Sequence, residues 1–329
     1  MTSQETSSEQ GTSSEQGTCA DLRVRRMTWE AEGVLSVELA HPDGKPLPAW
    51  EPGAHLDVHV GGQVRQYSLC SDPRSTAAYR IGVLNEPSSR GGSRYVHTEL
   101  RPGQTVTVSG PRNHFALEDA SSYVFIAGGI GITPILAMAR EAARRGVPWR
   151  LVYGGRTRDS MAFTDELASL GGSLTLVPQD ERGHIDLADA LGGDAGLPKG
   201  ALVYCCGPEP LLAAVEELCP AERLRVERFA APATAPAGDD TAFEVECRRS
   251  GVTLSVGADT SVLATAEAAG LDVNSSCRDG ICGSCETRVL DGTPDHRDFL
   301  LSEAERTANA SMMICVSRCA SGRRLVLDL

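Results

Sequence analysis

The sequence predicts a multidomain protein with three folded units: an antiparallel β-barrel, an α/β domain with a parallel sheet, and a small α+β domain. Three observations lead to this prediction. The chain of 329 residues is about twice the usual size of a single domain. Short alternating runs give way, at about residue 119, to buried strands followed by helices. A stretch rich in Ala and Pro then precedes a cysteine-rich segment.

The first 118 residues divide into a tail and the barrel. Residues 1–20 are expected to be a disordered tail, because they repeat Thr-Ser-Ser-Glu-Gln-Gly and offer almost nothing apolar to bury. Residues 21–118 alternate in short runs separated by Pro and Gly turns, the pattern of an antiparallel barrel or sandwich. The runs are Val34–Leu39, His55–Val60, Val64–Cys70, Tyr79–Leu84 and Gln104–Val108.

Residues 119–230 have the pattern of a parallel sheet with helices. An apolar strand, Tyr123–Ala127, leads through a glycine-rich turn into a predicted helix, Pro134–Arg145, that Gly146 ends. Three further buried strands and one more helix continue this alternation of strand and helix. They are the strands Arg150–Tyr153, Leu174–Val177 and Ala201–Cys205 and the helix Pro210–Cys219.

Residues 231–240 contain two prolines and no hydrophobic period, so we expect an interdomain linker. Residues 241–329 then form the third unit, with a hairpin that turns at Ser250-Gly251 and a short helix, Val262–Ala269. A cysteine-rich loop and three strands complete it. The strands are Thr287–Leu290, Met312–Val316 and Leu325–Leu329.

The charge balance excludes several classes of partner. The chain has 31 basic and 44 acidic residues, a formal net charge of −13, which argues against binding to nucleic acid or to anionic lipid. No stretch approaches the roughly 18 apolar residues of a membrane-spanning helix, and the N-terminus lacks the pattern of a signal peptide. We therefore expect a cytoplasmic protein, in which the 11 cysteines are not a disulfide framework.

Four cysteines of the third unit carry the strongest chemical signal. Four residues separate the first two, two residues separate the next pair, and a long excursion precedes the last, which is typical of plant-type 2Fe-2S ferredoxins. The alternatives are structural zinc, which more often uses two separated Cys-x-x-Cys pairs, and a chance cluster of thiols. The four residues are Cys277, Cys282, Cys285 and Cys315. The residues expected to let this loop wrap and to supply donors to the sulfurs are Ser275, Ser276, Gly280 and Gly283.

A second motif, Ala127-Gly128-Gly129-Ile130-Gly131-Ile132-Thr133-Pro134, lies between a strand and a helix. Glycines there let the backbone approach a pyrophosphate, and the helix N-terminus offers unpaired N–H donors. The ordinary alternative is a turn that needs glycine only for steric reasons. A later strand ends in Tyr204-Cys205-Cys206-Gly207-Pro208 at the same sheet edge, where its thiol and backbone could flank a nicotinamide ring.

A third motif combines Arg65-Gln66-Tyr67-Ser68 on a barrel strand with Ser89-Arg90-Gly91-Gly92-Ser93 before a short helix. Because side chains alternate along a strand, Arg65 and Tyr67 share one face, where a guanidinium could pair with a phosphate while the phenol stacks on a heterocycle. The second segment is a candidate phosphate cradle. A half-exposed strand is the ordinary alternative, so the flavin hypothesis depends on the other two motifs.

The order of these motifs from Leu22 to Leu329 resembles the phthalate dioxygenase reductase family, and vanillate demethylase reductases are similar too. The similarity extends to Asp295-His296-Arg297-Asp298 and to the closing Leu-Val-Leu-Asp-Leu. The resemblance implies that the barrel binds FMN, the α/β domain binds NADH, and the last unit is a β-grasp-like 2Fe-2S ferredoxin domain.

The resemblance also implies roles for individual residues. The residues placed at the reaction centre are Ser68, Cys206 and Phe229. Those that would hold FMN are Arg65, Gln66, Tyr67, Ser68, Arg90, Gly91, Gly92 and Ser93. Those that would hold the dinucleotide are Gly128, Gly129, Gly131, Thr133, Pro134, Asp159, Cys206, Gly207 and Pro208. The cluster ligands would be the four cysteines named above.

The coenzyme preference stays open at this point. Asp159 could accept hydrogen bonds from the adenosine ribose hydroxyls, which favours NADH. Arg156 and Arg158 precede it, and arginine is the residue type that pairs with a 2′-phosphate.

Nicotinamides release two electrons as hydride and a 2Fe-2S cluster accepts one at a time, so a flavin is needed between them. We therefore expect a reductase that delivers electrons to a separate acceptor, by resemblance a Rieske-type oxygenase or demethylase, with a haem-thiolate monooxygenase as the alternative. A self-contained oxidoreductase would need a further substrate pocket, and a redox sensor would need neither nucleotide motif. We expect a monomer whose acceptor docks near the Cys277–Cys285 loop, with charges from Arg278, Asp279 and Asp298.

Overall fold

The computed structural model describes residues 19–87, 91–231, 240–320 and 323–329. Three large sheets follow one another along these residues, which confirms the predicted order of antiparallel barrel, α/β domain and α+β domain. The predicted tail (1–20) and linker (231–240) lie almost entirely outside the described residues, as do Ser89 and Arg90 of the third motif. Strand β1 begins at Ala20, inside the predicted tail.

The first sheet is an antiparallel barrel in the order β4-β3-β6-β1-β2-β5. Leu69, directly after β4, forms an antiparallel bridge with Ile81 of β5, so the two edge strands meet and the sheet closes. The elements are β1 (Ala20–Ala31), β2 (Val34–Ala40), β3 (His55–Val60), β4 (Gln63–Ser68), β5 (Tyr79–Leu84), α1 (Gly92–Thr98) and β6 (Thr105–Arg112).

The second sheet is parallel throughout, in the order β11-β10-β7-β8-β9. Helix α2 covers one face of the sheet, and α5 and α6 cover the other. The strands are β7 (Ser122–Gly128), β8 (Trp149–Gly155), β9 (Ser173–Pro178), β10 (Ala201–Cys206) and β11 (Leu224–Glu227). The helices are α2 (Ile132–Arg145), α3 (Thr164–Ser169), α4 (Gln179–Arg182), α5 (Leu187–Ala190) and α6 (Glu209–Leu218).

The chain runs outward from β7 to β9 and then returns to β10 on the other side of β7. The topological switch point therefore lies between β7 and β10, and open α/β sheets bind their ligands at such a point. Both nucleotide motifs predicted from the sequence lie there, at the carboxyl ends of these two strands.

The third sheet is mixed, in the order β13-β12-β18-β14-β16, with β12 and β18 parallel and helix α7 packed into its core. This arrangement confirms the β-grasp-like prediction. The strands are β12 (Phe243–Cys247), β13 (Val252–Val256), β14 (Glu286–Asp291), β15 (Pro294–Asp295), β16 (Ser311–Met313), β17 (Arg318–Cys319) and β18 (Arg324–Leu327). The helices are α7 (Val262–Ala268) and α8 (Glu303–Ala308). Among all described residues, no helix is long and apolar enough to span a membrane.

Candidate functional site

One cleft is lined by all three domains. The barrel contributes the side chains of β4, the α/β domain contributes the end of β11 and the residues after it, and the third domain contributes the cysteine-rich loop. The lining residues that matter for the chemistry are Arg65, Gln66, Ser68, Glu227, Phe229 and Cys277. Residues that the sequence suggested for flavin and cluster chemistry therefore meet in one place.

Ser68 and Cys206 meet at Glu227, which the sequence analysis did not single out. The Ser68 hydroxyl lies 3.4 Å from Oε2 of Glu227, and the Cys206 thiol lies 3.9 Å from the same oxygen. Phe229 lines the same cleft and is 42% exposed, so its ring is available to a ligand rather than buried in the core. Two of the three residues placed at the reaction centre by resemblance, Ser68 and Cys206, thus contact a carboxylic acid, and Phe229 lines the same cleft.

Burial determines the protonation of this group. It raises the pKa of Glu227 to about 8, although hydrogen bonds from Ser68 and Cys206 oppose the shift. Burial also raises the pKa of the Cys206 thiol well above its usual value. The raised pKa values favour the protonated form of both groups, so the site favours a neutral carboxylic acid that can donate or retain a proton.

Arg65 and the start of α1 lie together, as a phosphate site requires. A Cβ added to Gly92 would lie 2.7 Å from Cγ of Arg65, so only glycine lets that side chain rest against the helix start. Gly91 has φ of 115°, which glycine adopts readily. The Ser93 hydroxyl already accepts a hydrogen bond from the Glu86 backbone N–H at 3.3 Å.

Tyr67 lies beside the cleft-lining residues of β4. It does not line the cleft; its half-buried ring packs against the barrel core. Gln66 and Ser68, on the other face of β4, line the cleft instead, together with Arg65. Burial raises the pKa of Tyr67 to about 12, so its phenol is protonated.

The two nucleotide motifs are packed backbone against backbone at the switch point. A Cβ on Gly131 would lie 2.3 Å from the carbonyl oxygen of Cys206, and a Cβ on Gly207 would lie 3.0 Å from Cα of Gly128. Gly128 itself lies close to Pro208, whose Cδ would be 2.7 Å from an added Cβ. The close contact between the ends of β7 and β10 therefore requires these glycines, as expected for a turn that needs glycine for steric reasons. The same contact brings both motifs to the sheet edge where ligands bind.

Thr133 and Pro134 are buried, so they shape the turn rather than present side chains to a ligand. The Thr133 hydroxyl donates to the Ile130 carbonyl at 3.0 Å, and its methyl group lies against Gly82 of the barrel. Gly129, with φ of 54° and nothing near its missing side chain, leaves the turn open at the helix start.

Asp159 is exposed in a short 3₁₀ turn, Arg158–Ser160, after the carboxyl end of β8. Arg158 is engaged by Glu181, with Nε–Oε1 and Nη2–Oε2 distances of 3.2 and 2.9 Å. Glu181 therefore competes with a 2′-phosphate for this exposed guanidinium.

The four cysteines of the third domain come together. Contact with Cys277, together with burial, raises the pKa of Cys282, and Cys315 contacts both Cys277 and Cys285. The thiols contact one another in succession. Four thiol donors arranged in this way fit a cluster of two irons.

The loop geometry fits the same group. The backbone N–H of Asp279 points at Sγ of Cys277 over 3.3 Å, and that of Ser284 points at Sγ of Cys282 over 3.5 Å. Gly280 and Gly283 have φ of 72° and 73°, as the sequence predicted from their type. The Ser275 hydroxyl, by contrast, lies 3.3 Å from a carboxylate oxygen of Glu267.

One expectation about the acceptor surface is wrong. Asp298 is only 2% exposed, and its carboxylate accepts hydrogen bonds from the backbone N–H groups of Leu300 and Leu301. It therefore holds the chain next to the cysteine loop and offers no charge to a partner. Arg278 is exposed but paired with Glu267 at 2.7 Å.

Comparison with known proteins agrees with a nucleotide-binding α/β domain and an iron-sulfur third domain. Residues 125–217 match the oxidoreductase NAD-binding domain model, and residues 245–320 match the 2Fe-2S iron-sulfur cluster binding domain model. The phenoxybenzoate dioxygenase subunit beta of Ectopseudomonas oleovorans is 44% identical over 94% of this chain and 97% of its own length. The vanillate O-demethylase oxidoreductase of a Pseudomonas strain is 42% identical over 93% of this chain and 98% of its own length.

A solved structure of phthalate dioxygenase reductase, described as a modular structure for electron transfer from pyridine nucleotides to [2Fe-2S], is 36% identical. It covers 94% of this chain and 98% of its own, with a TM-score of 0.68. The chain belongs to the phthalate dioxygenase reductase family. Its cofactors are those of this family: FMN, NADH and a 2Fe-2S cluster. It is accordingly an NADH-dependent oxidoreductase.

This reductase is also similar to part of a larger enzyme. An intact type IV self-sufficient cytochrome P450 monooxygenase has a TM-score of 0.88 and 44% identity over 94% of the reductase chain. The match spans 41% of that protein.

Proposed function

We propose that this protein is the reductase component of an oxygenase system, taking electrons from NADH and passing them to a separate terminal oxygenase. The observation that supports this proposal most directly is the cleft shared by Ser68 of the barrel, Glu227 of the α/β domain and Cys277 of the third domain. When bound, NADH supplies a hydride, FMN divides it into single electrons, and the cluster carries these one at a time.

The residues of the chain bind and orient these groups. Ser68, Cys206 and Glu227 form a neutral, hydrogen-bonded corner at the end of β10 and β11, so the place that receives hydride has no fixed negative charge. The exposed ring of Phe229 covers the cleft from the α/β side. A neutral acid beside a redox centre can hold a proton there without attracting a counter-ion.

Separate sets of residues are proposed to hold FMN, NADH and the cluster. The residues proposed to hold FMN are Arg65, Gln66, Tyr67, Ser68, Arg90, Gly91, Gly92 and Ser93. The residues proposed to hold NADH are Gly128, Gly129, Gly131, Thr133, Pro134, Asp159, Cys206, Gly207 and Pro208. The four cysteines Cys277, Cys282, Cys285 and Cys315 are the proposed ligands of the cluster.

A Rieske-type oxygenase or demethylase is the proposed acceptor, because the similar full-length proteins include subunits named for a dioxygenase and an O-demethylase. A haem-thiolate monooxygenase is the alternative, because the structural match to a self-sufficient cytochrome P450 covers nearly the whole reductase chain. The acceptor is proposed to dock at the cysteine-rich loop, where Asp279 and the Arg278–Glu267 pair supply charge.

Reconstitution separates these acceptors. The purified reductase is mixed with NADH and either a Rieske oxygenase or a haem-thiolate monooxygenase, and product formation is measured against NADH consumed. Coupled turnover with one class identifies the acceptor. NADH oxidation that reaches ferricyanide but neither cytochrome c nor any oxygenase would contradict the reductase function.

We also propose that the reductase works as a monomer in the cytoplasm. None of the 11 cysteines is in a disulfide, which is consistent with a reducing compartment. Sedimentation of the purified protein at micromolar concentration tests the monomer, and cell fractionation tests the location.

A further inference from the structure

A polar chain crosses from the barrel to the cysteine loop. Gln66 Nε2 donates to Oδ1 of Asp57 over 3.1 Å, and the other oxygen of Asp57 pairs with the guanidinium of Arg112. Arg112 Nη2 then donates to the Ser284 hydroxyl over 3.0 Å. Asp57 belongs to β3 and Arg112 to β6, whereas Ser284 lies between two of the cysteines, so the chain joins two domains.

The Ser284 hydroxyl has two acceptors within reach and one proton to give. Its oxygen lies 3.3 Å from Sγ of Cys282 and 3.4 Å from Oδ2 of Asp57. A cysteine that ligates iron is a thiolate, so Cys282 can then only accept this hydrogen bond. Whether a cation compensates the charge of Asp57 decides which acceptor receives the hydroxyl proton.

Arg112 controls which acceptor receives the proton, because it contacts both Asp57 and the Ser284 hydroxyl. Asp57 is 5% exposed, and a carboxylate so far from water attracts any donor unless a cation compensates its charge. The guanidinium supplies that charge and also fills an acceptor position on the Ser284 oxygen. Both effects turn the hydroxyl proton away from Asp57 and toward the sulfur.

We propose that Arg112 is a positioning residue that directs the Ser284 hydrogen bond onto Cys282, so that the flavin-binding barrel sets the electron affinity of the cluster. This inference rests on the proposed role of Cys282 as a cluster ligand. Hydrogen bonds to ligating sulfurs stabilise the reduced, more negative cluster and raise its reduction potential. The cluster therefore accepts an electron most readily while its loop is docked on the barrel.

The test is a redox titration of full-length holoprotein, with cluster and flavin potentials read separately by EPR and visible absorbance. Ser284→Ala removes the hydroxyl and is expected to lower the cluster potential, reducing the equilibrium constant for reduction about tenfold, which corresponds to about 59 mV. Ser284→Thr keeps a hydroxyl and is expected to keep the potential near that of the wild type. Ser250→Ala, in the turn between β12 and β13, is the matched control.

Arg112→Gln distinguishes positioning from simple structural support. It is expected to lower the potential as Ser284→Ala does, because the hydroxyl then turns to the uncompensated Asp57. In the double variant the Arg112 change is expected to add nothing, since no hydroxyl remains to be directed. A loss of potential in Arg112→Gln that persists undiminished in the Ser284→Ala background would overturn the proposal.

Three further outcomes are decisive. An unchanged cluster potential in Ser284→Ala contradicts the inference while leaving the reductase function intact. If Ser284→Ala loads no cluster, the comparison of Arg112→Gln with Ser284→Thr carries the test, and equal potentials in those two overturn it. A Cys282→Ala variant that still holds iron and sulfide in full would instead refute the ligand assignment on which the inference rests.

Discussion

Glu227 links the geometry of the site to pH. With a pKa of about 8, it is neutral below that pH and carries a charge above it. A negative charge beside Ser68 and Cys206 opposes the arrival of hydride in the cleft. We expect the rate of flavin reduction by NADH, measured by stopped flow, to fall as pH rises through about 8 in the wild type and to lose this dependence in Glu227→Gln.

The same group affects stability with a definite sign. The pKa of Glu227 rises from 4.5 to about 8 in the folded protein, so the folded state retains a proton that the unfolded chain releases. The associated stability is fully present below pH 4.5 and is lost as pH rises through about 8. The thermal unfolding midpoint (Tm) of Glu227→Gln should therefore fall less between pH 5 and pH 9 than the Tm of the wild type. An identical pH profile in both proteins would show that Glu227 is ionised throughout.

Arg65 tests the phosphate site. Replacing it by Ala removes charge-assisted hydrogen bonds worth roughly 1.5–3 kcal/mol each, so the Kd for FMN should rise roughly tenfold to a hundredfold. Flavin content after dialysis and fluorescence titration with FMN provide the measurement. Arg25→Ala, an exposed arginine on β1, is the control. Unchanged affinity for FMN in Arg65→Ala would remove this residue from the site.

Asp159 tests the coenzyme preference. Asp159→Ala should lower the ratio of kcat/KM for NADH over NADPH, because it removes the proposed partner of the ribose hydroxyls and leaves the Arg158–Glu181 pair in place. Asp165→Ala, an exposed carboxylate at the start of α3, is the control and should leave the ratio unchanged. A wild type that uses both coenzymes equally well contradicts the assignment.

At the scale of elements, the cysteine loop depends on its glycines. Gly280 has φ of 72°, and a Cβ there would lie 2.7 Å from Val316 Cγ2, next to Cys315. Gly280→Ala should therefore lower iron and sulfide content while FMN content stays at one per chain. Gly257→Ala, between β13 and α7 and without a positive φ, is the control. Full cluster loading in Gly280→Ala would show that the loop adapts.

The elements also show what the sequence could reveal. The cysteine spacing and the strand-turn-helix glycines are local patterns, so Cys277–Cys285 and Gly128–Gly131 were found without a structure. Glu227 could not be found in this way, because its contact Ser68 lies 159 positions away in the sequence. Its strand, β11, has only four residues and shows no clear hydrophobic period. Strand β1 was also missed, since register shifts near Arg26 and Ala31 interrupt its alternation.

At the scale of the whole molecule, polar contacts join the barrel to the third domain. Arg112 reaches Ser284, and the ring of His114 lies against Gly283, whose added Cβ would be 2.5 Å from Nε2. Arg112 keeps its partner Asp57 when the third domain is absent, so no charge is left uncompensated in the barrel. We therefore expect the flavin domain to stay folded when the third domain is removed.

Cutting the chain near Pro236, in the part outside the described residues, should divide the electron path. The truncated protein keeps the barrel and the α/β domain, so we expect it to bind FMN and to reduce ferricyanide with NADH. Reduction of cytochrome c should be lost, as it should be in full-length Cys315→Ala, which lacks one thiolate of the cluster. A soluble, flavin-loaded truncation that reduced cytochrome c at the full-length rate would mean that electrons leave from the cleft directly. The contact between Ser284 and Cys282 would then have no part in the path to the acceptor.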